Sequence, residues 1–130
     1  MASNISLEEL TKAVATLEEA LEFSKQVQSH QIQFKIARDA CIQRFEYTIE
    51  LSWKVAVKKL GSQTKFPKQA IREMARADLI SSAEMWLDFI EARNSSSHSY
   101  DEETATKVFQ QIILFQAQIH DYIGKLSRLQ

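Results

Sequence analysis

Segment 93–100, Arg-Asn-Ser-Ser-Ser-His-Ser-Tyr, concentrates the side chains of this chain that could do chemistry. The guanidinium of Arg93 stays charged and can bind a phosphate through two parallel hydrogen bonds. An imidazole such as that of His98 can accept or donate a proton near neutral pH. Tyr100 offers a phenol that could position a phosphate or a base and that can itself be modified. The segment therefore indicates a site that binds a phosphate and moves a proton.

Each of these side chains also has a purely structural interpretation. Arg93, in the last turn of a helix, would stabilise the negative end of the helix dipole and pair with Glu91 or Asp88. The histidine would be an ordinary loop residue. Tyr100 would pack against Ala105 at the start of the next helix as a hydrophobic staple. The spacing of the residues alone does not choose between the two interpretations.

Length and composition predict one globular domain covering residues 1–130. The chain has 45% hydrophobic and 25% charged residues, a balance that excludes a disordered chain. The net charge of −1 excludes a general cationic field, so nucleic-acid binding would depend on a local patch. The single Cys41 excludes an internal disulfide. With no signal peptide recognisable in residues 1–6 and no apolar run of ~20 residues, we expect a cytoplasmic protein that does not enter a membrane.

Helix-terminal signals and apolar periodicity predict an all-α fold. Two glycines and one proline leave few places for β-hairpins. Five helices are expected. The first runs from the Ser6–Glu9 capping box to the polar stretch 24–33, and the second covers about Phe34–Leu60 and ends at Gly61. The third covers about Pro67–Ala77, the fourth runs from a Ser81–Glu84 capping box to near Arg93, and the fifth runs from near Asp101 to the C-terminus. The pattern indicates an antiparallel four- to five-helix up-and-down bundle.

The second predicted helix has two unusual features. Residues 32–36 briefly alternate as in a strand, but no second run is available to pair with them, so we expect a helix. Its apolar residues also lie on more than one side, including Tyr47, Leu51, Val55 and Val57. Such a helix is either central or covered by a second subunit, and in a domain of this size we expect part of its apolar surface to contact another chain.

Other arrangements that could do chemistry are weaker. The histidines are scattered along the chain: His30, His98 and His120. With one cysteine and no closely spaced ligands, we expect no metal site. Glu46 and Glu50 have the spacing of carboxylate sites in helical bundles, but the companion Glu-x-x-His is absent. We interpret them either as a solvated stripe or as partners for Arg44 and Lys54.

The pattern Arg93-x-x-x-x-His98, with Asn94 directly after the arginine, resembles the signature of HEPN domains. The longer form that includes Tyr100 resembles the HepT-like toxins encoded beside minimal nucleotidyltransferases, a group also described as nucleotidyltransferase substrate-binding proteins. The resemblance extends along the chain through Phe45-Glu46, Trp53-Lys54, Phe66-Pro67, Trp86-Leu87-Asp88 and Asp101-Glu102.

This resemblance implies a homodimer in which the two motifs face each other and form a metal-independent endoribonuclease site without a cofactor. Arg93 would hold the scissile phosphate, His98 would act as general base or acid, and Asn94 would orient the arginine or the RNA. Tyr100 matches the tyrosine that a cognate minimal nucleotidyltransferase, the antitoxin, is thought to modify with adenylyl groups. The alternative is a non-catalytic substrate-binding subunit that docks onto a nucleotidyltransferase.

Overall fold

A computed structural model describes residues 6–129, which contain five α-helices and no β-strand. The elements are α1 (Leu7–Gln26), α2 (Gln31–Leu60), α3 (Pro67–Arg76), α4 (Ala83–Ser95), a 3₁₀ turn (Ser96–His98) and α5 (Glu102–Ser127). No helix in this part of the chain is long and apolar enough to cross a membrane. Residues 1–5, on which the expectation of no signal peptide mainly rests, lie outside the described residues.

Helices α1 and α2 form an antiparallel hairpin joined by residues 27–30. The Thr48 hydroxyl lies 3.4 Å from the Ala13 carbonyl, to which it donates, and Arg44 donates to the carbonyl of Thr16 over 2.7 Å. Because positions further along α1 meet positions further back on α2, the two helices run in opposite directions.

Helix α5 runs parallel to α2. The rings of Phe45 and Phe115 lie 5.3 Å apart, and further along both helices the Tyr122 hydroxyl donates to the Ser52 carbonyl over 2.6 Å. Helix α4 is joined to α5 by the short segment 96–101 and packs along it in the opposite direction. The four long helices therefore form an up-and-down bundle, with α3 as the link between α2 and α4, and the predicted fold class is confirmed.

A cluster of aromatic rings fills the centre of the bundle. Its members are Phe45, Trp86, Phe89, Phe115 and Tyr122. The rings meet edge to face or tilted with centroids 4.8 to 5.6 Å apart, the arrangement that aromatic quadrupoles prefer. This dry core fixes α4 against both α2 and α5, and so fixes the end of α4 where the predicted site begins.

Most of the predicted helix ends are confirmed. Ser6 caps α1 by accepting from the Glu9 amide at 3.2 Å, and Asp101 caps α5 by accepting from the Thr104 amide at 3.0 Å. Gly61 ends α2 with φ +68°, the left-handed conformation that glycine adopts without steric cost.

Two predicted helix starts need correction. Helix α2 begins at Gln31 rather than Phe34. The sequence pattern does not predict this first turn, because its apolar side chain, Ile32, is exposed and does not belong to a buried face. Helix α4 is capped by Ser82 rather than Ser81, since the Ser82 hydroxyl accepts from the Met85 amide at 3.0 Å.

Candidate functional site

The predicted site lies at the C-terminal end of α4 and is helical rather than a loop. The helix continues through Ser95, and residues 96–98 form a 3₁₀ turn. Small hydroxyl side chains make this extension possible: Ser96 donates to the Arg93 carbonyl at 2.7 Å and Ser97 to the Asn94 carbonyl at 3.3 Å. Helix α4 therefore extends to Ser95, slightly beyond the predicted end near Arg93, and Arg93 and His98 lie on successive turns of α4 and the 3₁₀ turn.

The Arg93 side chain is partly used and partly available. Its Nη1 lies 3.8 Å from Oε2 of Glu46, on α2, and the side chain is 36% exposed. Its Nε is enclosed and has no hydrogen-bond acceptor among residues 6–129. Neither acidic residue expected from the same helix is its partner, and Glu91 instead pairs with Lys68.

Glu46 is the site component that the sequence pattern did not identify. Its carboxylate accepts a hydrogen bond from Ser96, a residue only 3% exposed, and forms the ion pair with Arg93. The expected pairing with Arg44 is wrong, because Arg44 reaches Glu19 at 3.0 Å. Only the fold brings Glu46 to the end of α4, so no local spacing could have assigned this contact.

His98 and Tyr100 form the second contact within the motif. Nδ1 of His98 lies 3.2 Å from the Tyr100 hydroxyl, and the two rings are nearly perpendicular. Tyr100 is 85% exposed, so the expectation that it packs against Ala105 as a staple is wrong. The contact has a chemical consequence for the imidazole. When Nδ1 accepts from the Tyr100 hydroxyl in the neutral ring, Nε2 carries the proton, and when Nδ1 donates to that hydroxyl, Nε2 is unprotonated.

The structure thus brings the motif residues to one end of the bundle as two pairs. Within residues 6–129, no hydrogen bond or ion pair joins Arg93 to His98. His98 and Asn94 are exposed, and the Arg93 side chain is partly exposed beside them. The arrangement can bind an anion through Arg93 and exchange a proton through His98.

A second arginine anchors the chain directly after the motif. Arg38, on α2, donates to both carboxylate oxygens of Glu102 at 2.8 and 2.9 Å, and Lys35 lies 3.9 Å from the same carboxylate. The hydrogen bonds from Arg38 lower the pKa of Glu102. The adjacent Asp101 also has a lowered pKa, because its carboxylate accepts from the Thr104 backbone amide. These contacts fix the start of α5.

A groove of about 400 Å³ separates α4 from α5 beside the motif. Its lining consists of Asp88, Glu91, Ala92, Ser95, Thr104, Lys107, Val108 and Gln111. Of the segment 93–100, Ser95 contributes to this lining and Arg93, His98 and Tyr100 do not, so the groups that could do chemistry lie beside the groove and not inside it.

The remaining candidates behave as ordinary structural groups. Glu50 pairs with Lys54 at 3.5 Å, as expected from their spacing. In the described part of the chain, no three His, Cys, Asp or Glu side chains are grouped so that they could hold a metal ion. Cys41 is buried, and burial raises the pKa of its thiol to about 11, which keeps it protonated at neutral pH.

The chain matches the family model described as nucleotidyltransferase substrate binding protein like over residues 5–128. It is 29% identical over 124 residues to the probable ribonuclease HepT of Haemophilus influenzae, covering 86% of this chain and 85% of that protein.

Solved structures give the same result. A crystal structure of a Thermus thermophilus protein superposes with a TM-score of 0.76 at 29% identity, covering 92% of this chain and 99% of the other. A Haemophilus influenzae structure, described as revealing the fold of a substrate binding domain of a nucleotidyltransferase, superposes with a TM-score of 0.80 at 26% identity and covers 94% and 99% of the two chains. The resemblance carried by the segment 93–100 is thereby confirmed, and the chain belongs to the nucleotidyltransferase substrate binding protein-like family, the HepT-like group of HEPN proteins.

Proposed function

We propose that this protein is the HEPN component of a two-gene module with a minimal nucleotidyltransferase and acts as a metal-independent endoribonuclease toxin. The observation that carries the proposal is the placement of Arg93 and His98 on consecutive turns at one end of the bundle, where His98 is exposed and Arg93 is partly exposed. The relative named as a probable ribonuclease supports the same activity.

The proposed reaction is attack of an RNA 2′-hydroxyl on the adjacent phosphate. His98 removes the proton of the 2′-hydroxyl, or donates a proton to the departing 5′-oxygen. Arg93 holds the phosphate and stabilises the negative charge that develops on its oxygens. Asn94 orients the arginine or the RNA backbone. The products are a 2′,3′-cyclic phosphate end and a 5′-hydroxyl end, and no water is consumed.

A homodimer would complete this chemistry. Cleavage needs a base for the 2′-hydroxyl and an acid for the 5′-oxygen, whereas each chain supplies one histidine in the motif. Two motifs facing each other would supply the second histidine and a second Arg93. The doubled arginine would also offset the net charge of −1, which provides no general attraction for RNA.

Control by the nucleotidyltransferase would act through Tyr100. Its exposed hydroxyl is accessible to an adenylyl-transferring enzyme and already contacts Nδ1 of His98 at 3.2 Å. An adenylyl group on that oxygen removes its proton, so it could no longer donate to the imidazole. The adduct also places a negative phosphate beside the position of the RNA phosphate, which would repel the substrate.

Cleavage assays on purified variants test the proposal. We expect the native protein to cut RNA, Arg93→Ala to cut it far more slowly and His98→Ala to be inactive, with both variants folded by circular dichroism. Addition of the neighbouring nucleotidyltransferase with ATP is expected to stop cleavage by the native protein but not by Tyr100→Phe. Intact RNA after incubation with the native protein would contradict the proposal.

A second candidate function is a non-catalytic subunit that docks onto a nucleotidyltransferase. It is favoured by exposed apolar side chains on α2, namely Ile32, Ile36 and Tyr47, which a partner protein could cover. The description of the Haemophilus influenzae structure points in the same direction. This candidate predicts a stable complex with the nucleotidyltransferase that survives His98→Ala and is weakened by Ile36→Asp. Failure to isolate such a complex would contradict it.

A further inference from the structure

We propose that Glu46 is a positioning residue for Arg93: it reaches from α2 across to the end of α4 and holds the guanidinium in the orientation in which it meets the RNA phosphate. This inference rests on the proposed function, because it assigns a role in the same reaction. Glu46 lies outside the segment 93–100, and its spacing to Glu50 in the sequence does not predict the contact with Arg93.

The contacts of Glu46 converge on the motif. Its carboxylate makes the ion pair with Arg93 at 3.8 Å. It also accepts a hydrogen bond from the hydroxyl of Ser96, which lies one turn after Arg93. The Glu46 side chain is 30% exposed. Its half-buried negative charge is balanced by the Arg93 guanidinium and by the hydrogen bond from Ser96. A carboxylate in this position therefore connects the middle of α2 to the two turns that carry the motif.

Ser96 explains why the carboxylate itself is held in place. The serine is buried, and a buried hydroxyl is costly unless it is hydrogen-bonded. Its acceptors are the Glu46 carboxylate and the Arg93 carbonyl at 2.7 Å, both parts of the same cluster. Ser96 thus restricts Glu46, and Glu46 restricts the long and otherwise mobile side chain of Arg93.

The geometry leaves Arg93 able to bind a phosphate while it is held. The Nη1–Oε2 distance of 3.8 Å is that of an ion pair and is longer than a hydrogen bond, so the N–H groups of Nη1 are not consumed. Nε is enclosed, which leaves Nη1 and Nη2 as the groups available to a ligand. One carboxylate on the protein side and one phosphate on the solvent side can therefore share the guanidinium.

Helix α2 supplies a matched control one turn away. Glu50 is also a half-buried carboxylate, but it pairs with Lys54 at 3.5 Å and accepts from the Trp53 indole at 3.3 Å. It has no contact with the motif among the described residues. Glu50→Gln removes the same charge from the same helix without touching Arg93.

The experiment compares steady-state RNA cleavage by the native full-length protein with that by the Glu46→Gln, Ser96→Ala and Glu50→Gln variants. We expect Glu46→Gln to lower kcat roughly tenfold with KM within about threefold of native, because a displaced catalytic group costs rate in the transition state. Ser96→Ala is expected to lower kcat in the same way but less, and Glu50→Gln to remain within about twofold. The pH profile of the Glu46→Gln variant should keep its native shape, because His98 carries the proton.

Two outcomes of this comparison overturn the positioning role. One is native kcat in Glu46→Gln while Arg93→Ala cuts RNA far more slowly. The other is loss of one limb of the pH profile in Glu46→Gln, which would make Glu46 a proton-transferring residue. If Glu46→Gln does not fold, Ser96→Ala decides between the same outcomes, since it releases Glu46 without removing its charge.

A second measurement separates this inference from the proposed function. If the native protein does not cleave RNA, the proposed function fails, and the positioning role is read from the Nε–Hε resonance of Arg93 by NMR. We expect a sharp, slowly exchanging signal in the native protein and in Glu50→Gln, and a broadened signal in Glu46→Gln. An unchanged signal in Glu46→Gln shows that Glu46 does not hold the arginine.

Discussion

Arg38 and Arg93 both make ion pairs between helices, and the difference between these two arginines separates structure from function. Arg38 is buried, with a side chain only 6% exposed, and both ends of its fork donate to Glu102 at 2.8 and 2.9 Å. Arg93 is 36% exposed and makes a single contact with Glu46 at 3.8 Å. Nε is enclosed without an acceptor among residues 6–129 in both arginines, so the difference lies in the terminal nitrogens. Each Nη of Arg38 donates to a carboxylate oxygen, whereas Nη1 of Arg93 makes only the longer ion pair with Glu46.

An arginine is a candidate for anion binding when neighbouring residues orient its guanidinium without occupying all of its hydrogen-bond donors. The bidentate pair of Arg38 with Glu102 gains its energy from geometry that is already complete, so adding a phosphate would break it. A long ion pair to one carboxylate fixes direction and leaves hydrogen-bonding capacity. Arg93 meets this criterion and Arg38 does not.

The largest effect that this comparison predicts is on catalysis by Arg93→Ala. We expect kcat/KM for RNA cleavage to fall about 10²- to 10³-fold, as for the loss of one donor to a developing anion. The free energy of unfolding of the Arg93→Ala variant should be lower than that of the native protein by less than ~1 kcal/mol, because the lost ion pair is partly exposed. Cleavage kinetics and urea unfolding check both values. A loss of stability above ~2 kcal/mol would show that Arg93 is a structural residue.

Arg38→Ala is expected to show the opposite behaviour. The free energy of unfolding should fall by about 2 kcal/mol, because the variant loses a buried side chain with its packing and its bidentate pair. At temperatures where the variant remains folded, kcat should stay within about threefold of native. Urea unfolding and cleavage kinetics on the same preparation measure the two effects. Abolished cleavage by a fully folded Arg38→Ala would break the distinction between the two arginines.

Lysine substitutions at the same two positions are expected to have smaller effects that still distinguish Arg38 from Arg93. Arg38→Lys keeps the charge but not the two parallel hydrogen bonds, so we expect it to lower the free energy of unfolding by about 1 kcal/mol. Arg93→Lys should leave stability near native and reduce kcat about tenfold, since an ammonium can still contact a phosphate through one point. Equal stability losses in the two variants would contradict the account.

The smallest predicted effect is the pH dependence of the Arg38 pair. Because Arg38 lowers the pKa of Glu102 below its ordinary value of 4.5, the pair stabilises the fold when Glu102 is ionised in both folded and unfolded chains. Its contribution is therefore present above pH ~5 and is lost as the pH falls through the lowered pKa. We expect the stability difference between native protein and Arg38→Ala to shrink below pH ~4.5 in urea titrations. A difference that grows on acidification would exclude this linkage.

Local sequence signals were sufficient for most of the fold. Ser6, Gly61 and Asp101 act through their own helix ends, so their roles follow from neighbouring residues in the chain. The segment of small hydroxyl residues after Arg93 was misjudged, because serines occur in loops and can equally extend a helix end by bonding to preceding carbonyls.

The composition of the site was predictable only in part. Arg93 and His98 were found because they share one short segment. Glu46 and Arg38 were not assigned to the site region, because their partners lie far along the chain and are reached only when α2 packs beside α4 and α5. A carboxylate four residues from a lysine or arginine can be paired by sequence, as Glu50 was, but a partner on another helix requires the fold.

The ends of the RNA fragments produced by native protein test the central claim most directly. An RNA oligonucleotide is incubated with the purified protein, and the fragments are weighed by mass spectrometry, alongside the same oligonucleotide with 2′-deoxyribose at the cut position. We predict fragments that end in 2′,3′-cyclic phosphate, no cut at the deoxy position, and no fragments with His98→Ala. RNA left intact by the native protein, or identical fragments from native protein and His98→Ala, would contradict the claim that Arg93 and His98 form a ribonuclease site.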